Sequence, residues 1–305
     1  MEVPYKNIPT YNVQTKQWSK TSFKSQEDFA QYLDNLFKEP GQYEFDETTF
    51  LWNAQARKWN KKGYYTEASY KSTEFIEYWN FEKEKCRKGV IWINSEKQWY
   101  TERGYYMLLN FLPVINKEKG NREMFPDVRD VQYHLSLYEK RAELKHKHSI
   151  GTKKRQMLAS YYHTAKMLNI YWFERKAILR NLASSESYLT GEDGIWNYYN
   201  SYRDFLNEHT GWVRPNNPNQ DLKWKQQIEK IVDGRKSYTG RKSVLTGKSV
   251  ATKATAGVGG PAWYVYHEEP GVAPKLDKTY IFMKPNLQSG PYTVGMFFGA
   301  GSVGE

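Results

Sequence analysis

Two short segments carry residue types that suit nucleotide chemistry. The first is Gly151-Thr-Lys-Lys-Arg-Gln-Met-Leu-Ala-Ser160, where the cations Lys153, Lys154 and Arg155 precede a hydroxyl, Ser160. A phosphate-binding loop needs backbone amides that wrap the phosphates, a cation to meet their charge and a Ser or Thr hydroxyl for magnesium. Against that template Ser160 fills the hydroxyl position, Leu158 and Ala159 stand where glycine and lysine are expected, and Lys153 stands at the first glycine. On these residues alone, a basic strand-to-helix turn without a ligand stays open as an alternative. The second segment is Trp263-Tyr-Val-Tyr266 followed by His267-Glu268-Glu269-Pro270-Gly271. Two adjacent carboxylates at the end of a buried strand suit a nucleotide hydrolase, one holding the magnesium shell and the next polarising the attacking water. An acidic strand end facing solvent is the alternative there. Gly247-Lys248-Ser249 imitates a phosphate loop, but Lys242 occupies the position of its first glycine, and the segment reads as strand and loop.

These residues need elements to position them. Asp130–Leu144 reads as a helix, followed by a strand near His146–Gly151 and a helix from about Ala159. A strand at Lys176–Ala183 and a helix through Ile195–Glu208 follow, with later strands at Ser243–Val250, Ala262–His267 and Tyr292–Phe298. Strands alternating with helices predict an α/β unit over residues 121–305, a mainly parallel sheet flanked by helices. In such sheets ligands bind at the carboxyl ends of strands, where both candidate segments fall. Residues 1–120 read as a mixed α+β, aromatic-rich region, with helices at Phe29–Phe37 and Glu67–Lys85. A strand is expected at Val90–Asn94, with Gln98–Thr101 a possible partner, and Asn116–Arg122 is the best linker candidate.

Composition narrows the setting. The 305 residues include 45 Lys and Arg against 34 Asp and Glu, a formal charge of +11 that favours polyanionic partners. Aromatic residues make up 16% of the chain and are interleaved with cations around Trp18 and Trp52–Trp59, a mixture that suits nucleic acid and equally an ordinary core with a solvated basic face. No apolar run approaches a membrane span, the N-terminal stretch has no apolar leader core, and the one cysteine, Cys86, allows neither an internal disulfide nor a CxxC metal pair. His146 and His148 lack a third metal ligand in reach, and Glu82-Lys-Glu84-Lys85 reads as a solvated helix face.

Taken in order, the segments resemble the large terminase subunits of tailed phages, particularly the Bacteroidetes and crAss-like sort. Arg155-Gln156-Met157-x-x-Ser160 is similar to that family's deviant Walker A, and Glu268-Glu269-Pro270-Gly271 to its Walker B ending. Ala256-Gly-Val-Gly-Gly260 resembles the approach to that strand, Phe298-Gly-Ala-Gly-Ser302 the coupling motif, and Gly89–Leu112 the family's aromatic N-terminal stretch. The resemblance covers most of the chain from about residue 89. It implies a P-loop NTPase fold of the ASCE type and an ATP- and Mg2+-dependent motor that moves double-stranded DNA through a portal into a prohead. Implied partners are duplex DNA, the portal protein and a small terminase subunit, with the motor as a homo-oligomeric ring working in the host cell cytoplasm, away from membranes.

By position the resemblance makes Glu269 the catalytic base, with Arg155 as the Walker A arginine. Ser160 and Glu268 share the magnesium, and Gly299, Ala300, Gly301 and Ser302 couple hydrolysis to movement. Nucleotide contacts fall on Lys153, Lys154, Arg155, Gln156, Met157, Leu158, Ala159 and Ser160, with Gln132 and Tyr133 set against the adenine. The chain departs from the stricter pattern at Leu158 and Ala159, so Lys153 or Lys154 must supply the missing lysine's charge. The nuclease half of such proteins is not expected within these residues, and the sheet is expected to be incomplete at its C-terminal end. A nucleic-acid-binding module that keeps the fold without turnover is the other function these residues leave open.

Overall fold

The computed structural model describes residues 4–37, 47–116, 120–154, 157–214, 222–232, 235–257 and 259–302. The chain divides into two compact units: Met1–Lys145 with Thr164–Asn169 and Tyr198–Val213, and His146–His163 with Ile170–Asn197 and Arg214–Glu305. The first unit thus reaches past the boundary expected near residue 120. Its closing helix α6 (Asp130–Leu144) packs on α1 (Gln26–Leu36), β4 (Lys97–Thr101) and α5 (Arg103–Phe111), so it belongs with what precedes it.

In the first unit β1 (Ile8–Asn12), β2 (Gln17–Thr21), β3 (Val90–Asn94) and β4 form one sheet in the order β2-β1-β3-β4. β1 and β3 are parallel, and the outer pairs are antiparallel. β3 and β4 follow the sequence expectation because a two-residue turn, Ser95–Glu96, joins them, with Ser95 in the left-handed region (φ 56). Ser25 caps α1 through Asp28 N–H while the Asp28 carboxylate accepts the Ser25 N–H. Short helices α2 (Glu47–Trp52) and α3 (Ala54–Lys62) lead to α4 (Thr73–Lys88), capped by Ser72 and therefore starting six residues later than the sequence suggested. Glu102 caps α5, accepting from Gly104 N–H and Tyr105 N–H, and every residue of α5 after the first is buried. The hairpin β5 (Val114–Asn116) and β6 (Arg122–Met124) brackets the segment expected to be a linker. The core is aromatic: the rings of Trp79 and Phe111 touch each other, and each also touches both Tyr65 and Trp212.

The expected solvated face on α4 is half wrong. Glu82 and Lys85 are buried and paired with each other, and Tyr106 Oη donates to Glu82 Oε2 at 2.8 Å. The ammonium of Lys85 lies over the rings of Phe81, Trp18 and Tyr106. Desolvation of this pair is offset by the aromatic faces and the tyrosine hydroxyl, which no charge pattern discloses. Glu84 keeps a more open position, with Lys20 and Lys88 as partners. A second buried pair, Lys166 Nζ to Glu139 Oε2 at 2.7 Å, has no solvent access on either side chain. Cys86 is fully buried, and burial pushes its thiol up.

The second unit is a mixed α/β unit around a mostly parallel sheet. Its elements in chain order are β7 (Ser149–Thr152), α7 (Ala159–Phe173, of which Thr164–Asn169 groups with the first unit), β8 (Ile178–Ala183), α8 (Ser187–Thr190), the start of α9 (Ile195–His209, which from Tyr198 on groups with the first unit), β9 (Lys223–Lys225), β10 (Ile228–Val232), β11 (Arg235–Thr239), β12 (Val244–Ser249), β13 (Tyr264–Glu268), α10 (Leu276–Met283), β14 (Gln288–Ser289), β15 (Tyr292–Thr293) and β16 (Met296–Gly301). The sheet order is β7-β16-β13-β8-β12-β9; the first five are parallel and β9 is antiparallel at the edge. Gly247-Lys248-Ser249 lies inside β12, as its strand reading requires. Val265, Leu182 and Phe297 pack on Met283 of α10 on one face, while Tyr266 and Phe298 meet His163 of α7 on the other. Flanking helices therefore cover both faces, which makes near-continuous apolar strands such as β13 and β16 stable. The strand predicted at Tyr292–Phe298 is broken at Val294–Gly295, and the sheet strand begins at Met296. A Cβ on Gly295 would meet Ala262 O at 2.4 Å, so the chain bends where only glycine fits.

Candidate active site

The parallel arrangement puts the carboxyl ends of β7, β16 and β13 side by side. β7 runs into Lys153, whose N–H donates to Gly301 O of β16 at 2.9 Å. β13 delivers Glu268 on the α7 face and, one residue later, Glu269. β16, lying between them, delivers Ser302. Contact this close requires glycine: a Cβ on Gly299 would sit 2.3 Å from His267 O, and one on Gly271 2.1 Å from Ser302 O.

Five side chains meet there. Ser160 Oγ, in the first turn of α7, donates to Glu268 Oε1 at 2.5 Å. Lys153 Nζ pairs with Glu269 Oε1 at 2.5 Å. Ser302 donates to Glu269 Oε2 twice, from its N–H at 2.9 Å and its hydroxyl at 3.0 Å. Glu268 is almost fully buried, and its Oε2 has no hydrogen-bond partner among the described residues. Burial raises the Glu268 carboxyl to about 7; the neighbouring Glu269 charge adds to the rise, and the Ser160 hydroxyl and Lys153 oppose it. Glu269 behaves in the opposite way. Partial burial would raise it, but hydrogen bonds from Lys153 and Ser302 and the Lys153 charge hold it below the usual carboxylate range. The two adjacent acids are thus tuned apart, the pattern of groups with different roles.

The backbone is strained at both segments. Glu269 has φ 46, ψ 57, and Leu158 has φ 55, ψ 25, left-handed conformations uncommon for residues other than glycine. Leu158 stands where the phosphate-loop template has glycine, so the turn keeps the glycine conformation without the glycine. Leu158 is also the N-cap of α7 and offers no side-chain cap. Ala159 is buried, Met157 Sδ accepts the Lys154 N–H at 3.1 Å, and Lys154 is exposed. Arg155 and Gln156 lie outside the described residues.

Gln132 and Tyr133 have no such place. Both sit on α6 in the first unit, buried at 1% and 0% exposure, and the Tyr133 ring packs on Trp52. Their side chains serve that unit's core rather than an open adenine surface. His148 Nδ1 accepts the Phe297 N–H at 3.1 Å, and the described residues contain no group of three His, Cys, Asp or Glu side chains placed to hold a metal. Two further residues of the site escaped the sequence reading. His267 is fully buried, desolvation lowers it to about 4, and its Nδ1 lies 2.9 Å from Glu268 O. Ser184 directly follows β8, whose Ala183 is the register partner of Glu268, and its buried hydroxyl has no partner among the described residues. Only its place immediately after a buried parallel strand would have marked Ser184.

The donor set fits a hard cation. Ser160 Oγ and the unpartnered Glu268 Oε2 are oxygens of the kind magnesium takes, one or two from a protein with phosphate and water completing its shell.

No protein-family model matches this chain, and no curated protein matches it. Among solved structures it is similar to the large terminase ATPase domain of Thermus phage P74-26, solved as a point mutant, with a TM-score of 0.37 and 12% identity over 51% of this chain and 58% of that one. It is also similar to the HK97 bacteriophage large terminase, with a TM-score of 0.39 and 12% identity over 66% of this chain and 38% of that one. The chain therefore spans less than two thirds of either protein's length. Among the described residues no helix is long and apolar enough to cross a membrane.

Proposed function

We propose that the second unit binds ATP with Mg2+ at the turn from Lys153 to Ser160 and hydrolyses it, as the motor of a terminase-like DNA-packaging protein. The observation that carries this is the meeting of Ser160 with buried Glu268, and of Lys153 with Glu269, at adjacent strand ends. In this reading Ser160 and Glu268 hold the cation, which would neutralise charge on the β- and γ-phosphates. Lys153, Lys154 and Arg155 meet the phosphates together with the first-turn amides of α7, and Gln156, Met157, Leu158 and Ala159 complete the nucleotide contacts. Glu269 is the base that takes the proton of the attacking water. Its two oxygens are already engaged, one by Lys153 and one by Ser302, so it acts only once a contact opens. A phosphate competing for Lys153 opens Oε1, linking substrate binding to arming of the base. Gly299, Ala300, Gly301 and Ser302 then carry the event along β16, which is hydrogen-bonded on both sides.

The finer picture belongs to the same proposal: a P-loop fold of the ASCE type, transport of duplex DNA, a portal and a small terminase subunit as partners, a ring of copies, action in the host cytoplasm, and no DNA cleavage by these residues. Calorimetric titration with ATP and Mg2+ tests its root. Lys153→Ala with Lys154→Ala is expected to weaken binding at least tenfold, and unchanged affinity would place the phosphates elsewhere.

A further inference from the structure

Strands β10 and β11 pair with each other and, among the described residues, with no other strand. Every described side chain of this ribbon is exposed, Ile231 at 73% and Tyr238 at 40%. An isolated two-stranded ribbon is marginal by itself, since neither face covers a core. The fold therefore maintains it for something outside.

Its chemistry narrows what that is. The register places Ile228 and Lys230 with Ser237, Thr239 and Arg235 on one face, and Glu229 and Ile231 with Tyr238 and Lys236 on the other. Both faces carry cations. Lys223 and Lys242 at the base of the ribbon are exposed as well, and Glu229, paired with Lys236 at 2.9 Å, is the one acid among the described residues from 222 to 242. A surface built to dock another protein would concentrate its apolar residues on one side. Cations on both sides of a narrow ribbon suit a groove whose two walls are phosphate. A two-stranded ribbon enters the major groove of duplex DNA, about 12 Å wide. Five residues per strand span ~17 Å, about five base pairs.

We propose that the β10–β11 ribbon seats in the major groove of double-stranded DNA. Lys230 and Arg235 meet phosphates on one wall, and Lys236 meets those on the other, with Ile231 and Tyr238 beside it on the same face. The choice of duplex DNA among polyanions rests on the packaging-motor reading; the ribbon's own role does not need the ATP site.

The test is duplex-DNA affinity of the full chain, followed by fluorescence anisotropy across a salt series without nucleotide. Lys230→Gln, Arg235→Gln and Lys236→Gln together should lower the slope of log affinity against log salt by roughly 2 to 3, with at least a tenfold loss of affinity at moderate salt. A control variant, Arg57→Gln, Lys61→Gln and Lys71→Gln, removes equal charge from exposed positions of the first unit and should keep most of both. Thermal melting and ATP hydrolysis without DNA should be unchanged in both variants, so failure of the ATPase reading registers separately. Equal losses in the two variants would reduce the effect to net charge and overturn the proposal. So would a ribbon variant that binds normally, or self-association that disappears in Ile228→Ser with Ile231→Ser, which would make the ribbon a protein-docking element.

Discussion

The two units each contain a close lysine–glutamate pair, and the pairs differ in one respect that decides their use. Lys166 and Glu139 in the first unit have no solvent access, whereas Lys153 and Glu269 in the second retain 11% and 13% exposure. A charge sealed from water cannot trade its contact for solvent, so the first pair is fixed for as long as the unit is folded. A charge at the mouth of a site exchanges its partner for water or phosphate at little cost. The same two residue types thus serve as a rivet in one place and as an exchangeable contact in the other.

Breaking the sealed pair should produce the largest effect. Lys166→Met removes the ammonium paired with buried Glu139, and a loss of about 3–5 kcal/mol is expected in urea unfolding of the first unit. Adding Glu139→Gln should recover part of it, and full wild-type stability in the single variant would show that the pair is not sealed.

Next comes Glu268, whose burial works against the folded state. Its folded value, about 7, lies above its ordinary value of 4.5. The stability contributed by its protonated form is therefore fully present below the ordinary range and lost as pH rises through about 7. Glu268→Gln should stabilise the protein at pH 8 by up to about 3 kcal/mol, an advantage that shrinks toward pH 5. Thermal melts at the two pH values measure it, and a pH-independent difference would place the carboxylate in a wetter setting.

Glu269→Gln should leave melting nearly unchanged while ATP turnover falls roughly a hundredfold, because the exchangeable pair contributes little to the fold. Equal turnover in the two proteins would assign this acid a structural role. The smallest effect is expected from Leu158→Gly. Glycine relieves about 1 kcal/mol of left-handed strain and loses some packing, so nucleotide affinity should hold or rise slightly. A large loss would mean that the leucine side chain itself touches the ligand.

What the sequence disclosed follows the range of the forces involved. The α/β unit was legible because buried parallel strands are apolar runs separated by helices, and Asp130–Leu144 and the start of α7 at Ala159 match their expected limits. Ser160, Glu268 and Glu269 were readable as strand-end chemistry, and Ser302 was named only through the family resemblance. What joins them was not: Ser302 on Glu269, or Lys153 on Glu269 rather than free for phosphate, depends on β16 lying between β7 and β13, a pairing set by contacts distant in sequence. The misplacement of Gln132 and Tyr133 has the same origin, since helix α6 precedes the phosphate turn in sequence yet folds with the other unit. The β1–β2 hairpin went unseen because β2 is wholly or partly exposed along its length and has no apolar alternation to betray it.

Cys86 makes this chain convenient for kinetic work. It is the single thiol of the sequence, wholly enclosed, and shifted away from the reactive thiolate by its surroundings. An alkylating reagent reaches it only when the first unit opens, so the rate of its modification is a clock for that opening. A cysteine introduced at an exposed position such as Ser237 would react at once, giving one chain two addressable sites separated in time rather than in chemistry.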